Sequence, residues 1–152
     1  MSELKEGLKA PDFTAKDQNG NNVSLSQFIG KKVVLYFYPK DDTPGCTAEA
    51  CDFRDNYQGL TAKGIIVLGV SIDDEKSHQK FVTKHSLPFT LLADTDQKIV
   101  EAYGVWGEKN MYGKKYMGTH RTTFLIDETG IISHIIKKVD TKNSTAQVLE
   151  LL

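Results

Sequence analysis

The sequence predicts a mixed α/β fold in which a central sheet carries helices on both faces. Two continuous apolar runs, KKVVLYFY at 31–38 and GIIVLGV at 64–70, are rich in Val, Ile and aromatic residues and are typical of strands buried on both sides. Helical patterns alternate with such strands, and hairpin signals occur near the N-terminus and near the C-terminus. Residues that carry chemistry are then expected at the ends of the buried strands.

Length and composition restrict the class of protein. The chain has 152 residues, 39% hydrophobic and 26% charged, so we expect one domain over 1–152. Its longest strongly apolar run, at 33–38, is far shorter than the roughly 20 residues of a membrane-spanning helix. A net charge of −1 provides no strong field for nucleic acid or an anionic membrane. The N-terminus is charged throughout and two cysteines form no secreted disulfide framework, so we expect a cytoplasmic protein.

Turn and capping residues define the first elements. Asn19-Gly20 lies between two short extended segments and predicts a tight hairpin turn near 13–24. Ser24 or Ser26 can cap a single helical turn that ends at Gly30. The first buried strand then follows.

The longest helix is predicted at 46–63. Pro39 ends the strand before it, because proline lacks the N–H that a sheet requires, and Gly64 ends the helix itself. Apolar residues along the helix recur at spacings of three and four and share one face. They are Cys46, Ala50, Phe53, Tyr57 and Leu60.

The C-terminal half continues the alternation of helices and strands. An amphipathic helix is predicted at 75–85, a short strand near 90–93 and a helix near 96–103. The Gly-rich, aromatic segment 104–118 is predicted to be a long loop. The final elements are a hairpin that turns over 128–130 and a closing helix from Ser144.

Cys46 is the strongest candidate for a reactive residue. The loop 39–45 follows a buried strand, and Thr43 suits the N-cap of the next helix. Pro44 then occupies the first helical position and Cys46 the third. A thiol there faces unpaired backbone N–H groups and the positive end of the helix dipole, which both favour the nucleophilic thiolate. The alternative is a small buried hydrophobic residue, because Cys46 also lies on the apolar face.

Cys51 follows Cys46 after five residues on the same predicted helix. An ideal helix places the two Cα atoms about 8–9 Å apart over that distance, with the side chains about 140° apart. A disulfide needs Cα atoms within about 7 Å. The two thiols can therefore pair only if the first turns of the helix unwind. Otherwise Cys51 is an unpaired thiol near the polar side of the helix.

Other thiol and metal sites are not supported. The spacing of the cysteines is not that of a CxxC redox motif, and neither a Walker A sequence nor GxGxxG is present. Nothing supports a catalytic pair of Cys46 with a histidine. Zinc needs four ligands, and the histidines show no ligand spacing and are interpreted as surface or strand residues. They are His78, His85, His120 and His134.

Three sequence blocks resemble one family. Pro39-x3-Thr43-x2-Cys46 matches the active-site motif of the peroxiredoxins, and TPGCTAEAC at 43–51 is similar to the branch of peroxiredoxin Q, or bacterioferritin comigratory protein. KAPDF near the start and the segments 103–118 and 119–127 extend the resemblance along the whole chain. It implies a thioredoxin-like fold and thiol-dependent reduction of hydroperoxides.

The resemblance also implies roles for individual residues. Cys46 would be the peroxidatic cysteine and Cys51 the resolving one. Thr43 would hydrogen-bond the peroxide and the thiolate, Pro39 would shield the pocket from water, and Arg121 would place a permanent charge beside the sulfur. These three residues also have ordinary explanations: Thr43 as a helix cap, Pro39 as a strand terminator and Arg121 as a solvated charge.

Glu49 needs a partner if Cys46 is to be a thiolate. It lies three residues after Cys46 and hence near it on the helix, where a bare carboxylate would disfavour the anion. An ion pair with Arg121 would remove this conflict and orient the guanidinium. A plain solvated carboxylate is the equal alternative.

Five large side chains in the segment 104–118 admit two interpretations. They form a rim for alkyl peroxides or a docking surface for a reductase, or they pack in the core beneath the loop, which we favour slightly. They are Trp106, Met111, Tyr112, Tyr116 and Met117.

The expected function is a thiol peroxidase that acts on hydrogen peroxide and organic hydroperoxides. A sulfenic acid at Cys46 and an intramolecular disulfide with Cys51 carry the cycle, and thioredoxin or a similar dithiol restores the thiols. No metal or organic cofactor is needed because sulfur carries the electrons, and the intramolecular disulfide favours a monomer. The competing functions are a protein disulfide reductase and a redox-switched holdase, and a peroxide assay separates them.

Overall fold

The structure is a computed structural model that describes residues 4–152. The strands are β1 (Thr14–Asp17), β2 (Asn22–Ser24), β3 (Lys32–Phe37), β4 (Ile65–Ser71), β5 (Thr90–Ala93), β6 (Trp106–Met111), β7 (Lys114–Thr119), β8 (Thr122–Ile126) and β9 (Ile132–Ile136). The α-helices are α1 (Pro44–Asp55), α2 (Tyr57–Ala62), α3 (Glu75–His85), α4 (Lys98–Ala102) and α5 (Ser144–Leu151). Within this described range, no helix combines the length and the apolar character needed to cross a bilayer.

A seven-stranded sheet has the strand order β2-β1-β5-β4-β3-β8-β9. Its centre is parallel, because β4 pairs in parallel with β3 and with β5, whereas the outer pairs are antiparallel. At the end of β3, Phe37 lies opposite Val70 on one side and Thr122 on the other. The loop that follows Tyr38 is therefore close to the start of β8 and to Arg121.

Alternate residues of β3 belong to two separate cores. Leu35 and Phe37 pack on one face of the sheet with Val100 of α4. Val34 and Tyr36 pack on the other face with side chains from α1, α2, α3 and α5. This alternation follows from the two-residue period of a strand. The predicted mixed sheet with helices on both faces is confirmed.

Most predicted elements occur where the sequence places them. The N-terminal hairpin turns at Asn19-Gly20, with β1 and β2 antiparallel. Ser24 is the N-cap of a short 3₁₀ helix, Leu25–Phe28, and its backbone N–H donates to Gln27 Oε1 at 2.6 Å. The C-terminal hairpin pairs β8 with β9 across the turn 128–130.

The prediction of one helix over 46–63 was wrong. The helix breaks at Asn56, which separates α1 from α2. The Asn56 side chain donates from Nδ2 to the carbonyl oxygen of Asp52 at 2.8 Å. Asparagine competes with the helix for backbone partners in this way. Both cysteines nevertheless lie in α1, which is continuous from Pro44 to Asp55.

The prediction of a loop over 104–118 was also wrong. The segment contains an antiparallel hairpin, β6–β7, which pairs Trp106 with Thr119 and Met111 with Lys114. Tyr112 and Gly113 form its two-residue turn with φ of 53° and 82°. Positive φ at both turn residues matches the twist of the flanking strands.

The favoured core-packing interpretation of the large side chains in this hairpin was wrong for four of the five. Trp106 is half-buried and packs against the core. Met111, Tyr112, Tyr116 and Met117 are exposed, and Tyr112 is completely so. The hairpin therefore presents an uncovered apolar surface.

Candidate active site

Cys46 lies at the start of α1, as the sequence predicts. Thr43 is the N-cap with extended backbone angles, Pro44 is the first helical residue and Cys46 the third. The Cys46 thiol is buried and free, at 1% exposure. Thr43 caps through its backbone only, since its Oγ1 donates to the carbonyl of Lys40 at 2.9 Å. That hydroxyl oxygen therefore keeps its ability to accept a hydrogen bond.

Arg121 binds Cys46 and Glu49 at the same time. It immediately precedes β8, and the pairing of β8 with β3 brings it to α1 from 75 residues away. Its Nη2 donates to Cys46 Sγ at 3.2 Å, and its Nη1 donates to Glu49 Oε1 at 2.8 Å. Glu49 is fully buried. The structure thus shows the Glu49–Arg121 pair and not a solvated carboxylate.

The charges of this group depend on each other. Burial raises the pKa of the Glu49 carboxyl to about 7, although the charge of Arg121 opposes the rise. Glu49 Oε2 is buried without a hydrogen-bond partner among residues 4–152. Burial also lowers the pKa of the Arg121 guanidinium, but the charges of Cys46 and Glu49 outweigh this effect and leave that pKa above its ordinary value. A permanent cation therefore lies beside the sulfur.

Gly45 belongs to the site although the sequence analysis did not select it. A Cβ atom at this position would lie 3.1 Å from Arg121 Nη2. Few Cβ contacts are this short, so any side chain would push against the guanidinium. The only signal in the sequence is a glycine inside the first helical turn, where glycine is otherwise unfavourable.

Lys109 is a second cation near the site that the sequence analysis missed. It lies in the β6–β7 hairpin, and its Nζ donates to the carbonyl of Thr119 at 2.9 Å. Burial lowers the pKa of Lys109, and the charge of Arg121 adds to that effect. His120 is exposed, and its Nε2 lies 3.2 Å from the carbonyl of Glu108. Its ring is therefore engaged with the hairpin, and the structure gives no support for a pair with Cys46.

Cys51 and Pro39 are the remaining predicted site residues, and both are half-buried. Cys51 is half-buried and free on α1, one helical turn beyond Cys46, so the structure contains two separate thiols. On a continuous helix their Cα atoms remain about 8–9 Å apart, too far for a disulfide. Pro39 is half-buried after the last residues of β3.

One group of side chains in the described part of the chain has the composition of a metal site. Ligand atoms of Asp41, Asp73 and His78 lie within 4.8 Å of one another. Both ring nitrogens of His78 are already engaged, with Asp41 Oδ2 at 2.7 Å and with the carbonyl of Leu92 at 2.9 Å. A metal ion would have to displace one of these bonds, so the arrangement fits an internal ion pair better than a cation site. The interpretation of His78 as a surface or strand residue was wrong, because it lies in α3 and is fully buried.

Comparison with known proteins places this geometry in a family. The AhpC/TSA family model matches residues 7–135. The chain is 53% identical over 146 residues to a protein from Coxiella burnetii described as putative peroxiredoxin bcp. The aligned region covers 96% of this chain and 97% of that protein. It is also 49% identical to peroxiredoxin Bcp from Bacillus subtilis, and the alignment covers 98% of this chain and 95% of that protein.

Solved structures agree with these relatives. A cysteine-to-serine variant of peroxiredoxin Q from Xanthomonas campestris has a TM-score of 0.88 at 36% identity, with 97% of this chain and 96% of that chain covered. A peroxiredoxin Q variant from Xylella fastidiosa has a TM-score of 0.92 at 32% identity, with 99% and 96% covered. These likenesses cover nearly the whole chain. The chain therefore belongs to the AhpC/TSA family, within its Bcp or peroxiredoxin Q branch of peroxiredoxins.

Proposed function

We propose that Cys46 of this thiol peroxidase attacks the peroxide and that Cys51 resolves the product. The observation that carries the proposal is the 3.2 Å contact between Arg121 Nη2 and Cys46 Sγ at the N-terminus of α1. A cation and a helix N-terminus both stabilise a thiolate. Because the sulfur is buried, water screens its interaction with the cation only weakly, and the attraction is stronger than it would be at an exposed position.

In the first step the Cys46 thiolate attacks one peroxide oxygen. The S–O bond forms as the O–O bond breaks, sulfur is oxidised to a sulfenic acid, and the leaving oxygen takes a proton to depart as water or an alcohol. Negative charge moves from sulfur to the leaving oxygen. Arg121 can stabilise it there, because its guanidinium has five N–H donors and the contacts with Cys46 and Glu49 use two of them. Thr43 Oγ1 donates to Lys40 and is free to accept the O–H of the peroxide. Pro39 limits the access of water.

In the second step the Cys51 thiolate attacks the oxidised sulfur of Cys46. A disulfide forms and the hydroxyl group leaves as water after protonation. The first turns of α1 must unwind for this step, since about 8–9 Å between helical Cα atoms cannot be bridged. The resolving step therefore includes a conformational change.

An external dithiol then reduces the disulfide by thiol exchange. By family likeness we assign this role to thioredoxin. A solved relative from Xanthomonas campestris is described by its alkyl peroxide reduction activity. We extend that substrate class to this chain, together with hydrogen peroxide.

The intramolecular disulfide requires no second subunit, so we propose that residues 1–152 act as one domain and as a monomer. Two free cysteines fit a reducing compartment, and we propose the cytoplasm. Light scattering of the purified protein tests the assembly state. A mass near the 17.0 kDa of one chain is expected, and a dimer mass contradicts the proposal.

Two matched serine variants test the function. Peroxide consumption is measured with a thioredoxin system for wild type, Cys46→Ser and Cys51→Ser. Cys46→Ser should have no activity, whereas Cys51→Ser should consume one equivalent of peroxide per chain and then stop as a sulfenic acid. An active Cys46→Ser variant beside an inactive Cys51→Ser variant would reverse the two roles.

A further inference from the structure

A buried ion pair lies in the loop that leads to α1, outside the thiol site. The Asp41 side chain is almost completely buried and accepts three hydrogen bonds from other side chains. Tyr38 Oη donates to Oδ1 at 2.6 Å, and Ser77 Oγ donates to Oδ2 at 2.8 Å. His78 Nδ1 donates to Oδ2 at 2.7 Å. The loop is therefore bound to α3, which supplies two of these donors.

The hydrogen-bond partners of His78 define its protonation state. Nδ1 faces the Asp41 carboxylate and Nε2 faces the Leu92 carbonyl at 2.9 Å. The Leu92 carbonyl can only accept, and Asp41 already accepts from Tyr38 and Ser77 on both of its oxygens, as a carboxylate does. This set of bonds is satisfied when both ring nitrogens donate, with His78 as an imidazolium. Burial alone lowers the pKa of His78, but Asp41 raises it above the ordinary value. Asp73, two residues after β4, and the tyrosines Tyr36 and Tyr38 also face this pair.

The main chain of the loop is bound at the same point. The Asp41 backbone N–H donates to Asp73 Oδ2 at 2.8 Å, and Ser71 Oγ donates to the same oxygen at 2.7 Å. The next residue, Asp42, has φ of 57°, in the left-handed region that aspartate and asparagine occupy more readily than other residues with side chains. The contacts of Asp41 hold the loop three residues before α1 begins.

A second anchor lies at the far end of α1. Thr145 of α5 donates from its backbone N–H to Asp52 Oδ2 at 2.7 Å. Arg54 Nη1 donates to the carbonyl of His85 at 2.8 Å. Between Asp41 and Asp52, Arg121 contacts both Cys46 and Glu49, and its contact with Cys46 depends on the redox state of the sulfur.

We propose that Asp41 and His78 are positioning residues of the peroxidase, whose buried ion pair sets the N-terminal limit of the segment that unwinds when Cys46 and Cys51 form a disulfide. The inference rests on the proposed function. The pair keeps the loop in place during unwinding, so that α1 rewinds onto Arg121 after reduction. In the reduced protein it holds the start of α1 at the correct distance from the guanidinium.

The test compares His78→Gln with Asp42→Asn. The first variant removes the buried cation. The second changes the exposed carboxylate of Asp42, which lies in the same loop and pairs with Lys84 and His85 of α3. Asparagine tolerates the left-handed region as aspartate does. His78→Gln should slow the peroxide step about tenfold, because the start of α1 shifts from Arg121. Asp42→Asn should stay within about twofold of wild type, as exposed substitutions usually do.

Amide exchange of the disulfide forms separates positioning from general destabilisation. In wild type and Asp42→Asn, the Asp41 amide, which donates to Asp73 Oδ2, should stay protected while residues 45–51 exchange. In His78→Gln the exchange should extend to the Asp41 amide, while β4 and α3 remain protected. A further readout is pH. Wild-type protection of the Asp41 amide, corrected for intrinsic rates, should fall as His78 loses its proton, and His78→Gln should lack this dependence.

A measurement on wild type alone covers the case in which His78→Gln does not fold. Nitrogen NMR of His78 should show two ring protons in both the dithiol and the disulfide form. A neutral His78 ring in the disulfide form would overturn the proposal. The proposal would also be overturned if wild type is an active peroxidase and His78→Gln has the same peroxide rate and the same amide exchange as wild type. If wild type consumes no peroxide, the proposed function fails instead.

Discussion

The two ends of helix α1 are held by different kinds of contact. At its start, Cys46 and Glu49 share the guanidinium of Arg121, so the contact is ionic and involves the reacting atom itself. At its end, Phe53 is fully buried in the core and Asp52 binds the backbone of α5. Oxidation of Cys46 changes the contact of the sulfur with Arg121, whereas the Glu49–Arg121 pair and the contacts at the other end do not involve the sulfur. The difference shows how one helix can be reactive and mobile at one end and structural at the other.

The largest expected effect concerns the ionic end. Arg121→Ala should slow the peroxide step by about a hundredfold to a thousandfold, as removal of one charge-stabilising donor does in other enzymes. Arg121→Lys should recover part of the rate, because a point charge cannot contact Cys46 and Glu49 together. Rapid mixing of the reduced protein with peroxide measures both rates. An unchanged rate in Arg121→Ala would show that the cation does not act on the sulfur.

Glu49 makes the stability of the ionic end depend on pH. Its folded pKa of about 7 lies above the ordinary carboxyl value of 4.5, so the folded protein keeps a proton that the unfolded chain releases. This stabilisation is complete below the ordinary value and is lost as the pH rises through about 7.

Glu49→Gln should abolish that dependence. Urea unfolding of both proteins at pH 5 and pH 8 measures the free energy of unfolding. From pH 5 to pH 8, the free energy of unfolding of the variant should rise relative to that of wild type by about 2 kcal/mol. A constant difference between the two pH values would mean that Glu49 is ionised throughout.

Oxidation should loosen the ionic end without a gain in stability. The loop closed by Cys46 and Cys51 is short, so the cross-link stabilises by about 2 kcal/mol in the chain-entropy model. Loss of several helical hydrogen bonds, at about 1 kcal/mol each, offsets this. Amide exchange at 45–51 should rise while β3, β4 and the anchored end of α1 stay protected. A marked rise in Tm on oxidation would instead indicate a structural disulfide.

The smallest effect should come from crowding the guanidinium. Gly45→Ala places a methyl group 3.1 Å from Arg121 Nη2, so the cation must shift, and we expect a peroxide step about tenfold slower. Gly59→Ala in α2 is the matched control, because its added Cβ would have no atom within 4 Å apart from neighbouring residues and the backbone of its own helix. Equal rates in the two variants would show that Arg121 tolerates displacement.

Local pattern explains which parts of this molecule could be predicted from sequence. The central strands β3 and β4 are continuous apolar runs, and Cys46 follows the first of them at a recognisable helix start. The β6–β7 hairpin escaped prediction because both its faces carry polar residues and its turn places Tyr112 at positive φ. Gly45 and His78 escaped because their partners are distant in sequence. Only the folded chain brings Arg121 and Asp41 to them.

The pairing of Trp106 with Thr119 gives the protein an internal optical reporter. Trp106 is the only tryptophan in the chain, and it lies half-buried at the base of the hairpin. Its partner Thr119 is two residues from Arg121, and the Thr119 carbonyl also binds Lys109. A shift of the Arg121 segment therefore changes the surroundings of a single indole. Its emission can follow each turnover in the unmodified protein, without an attached dye.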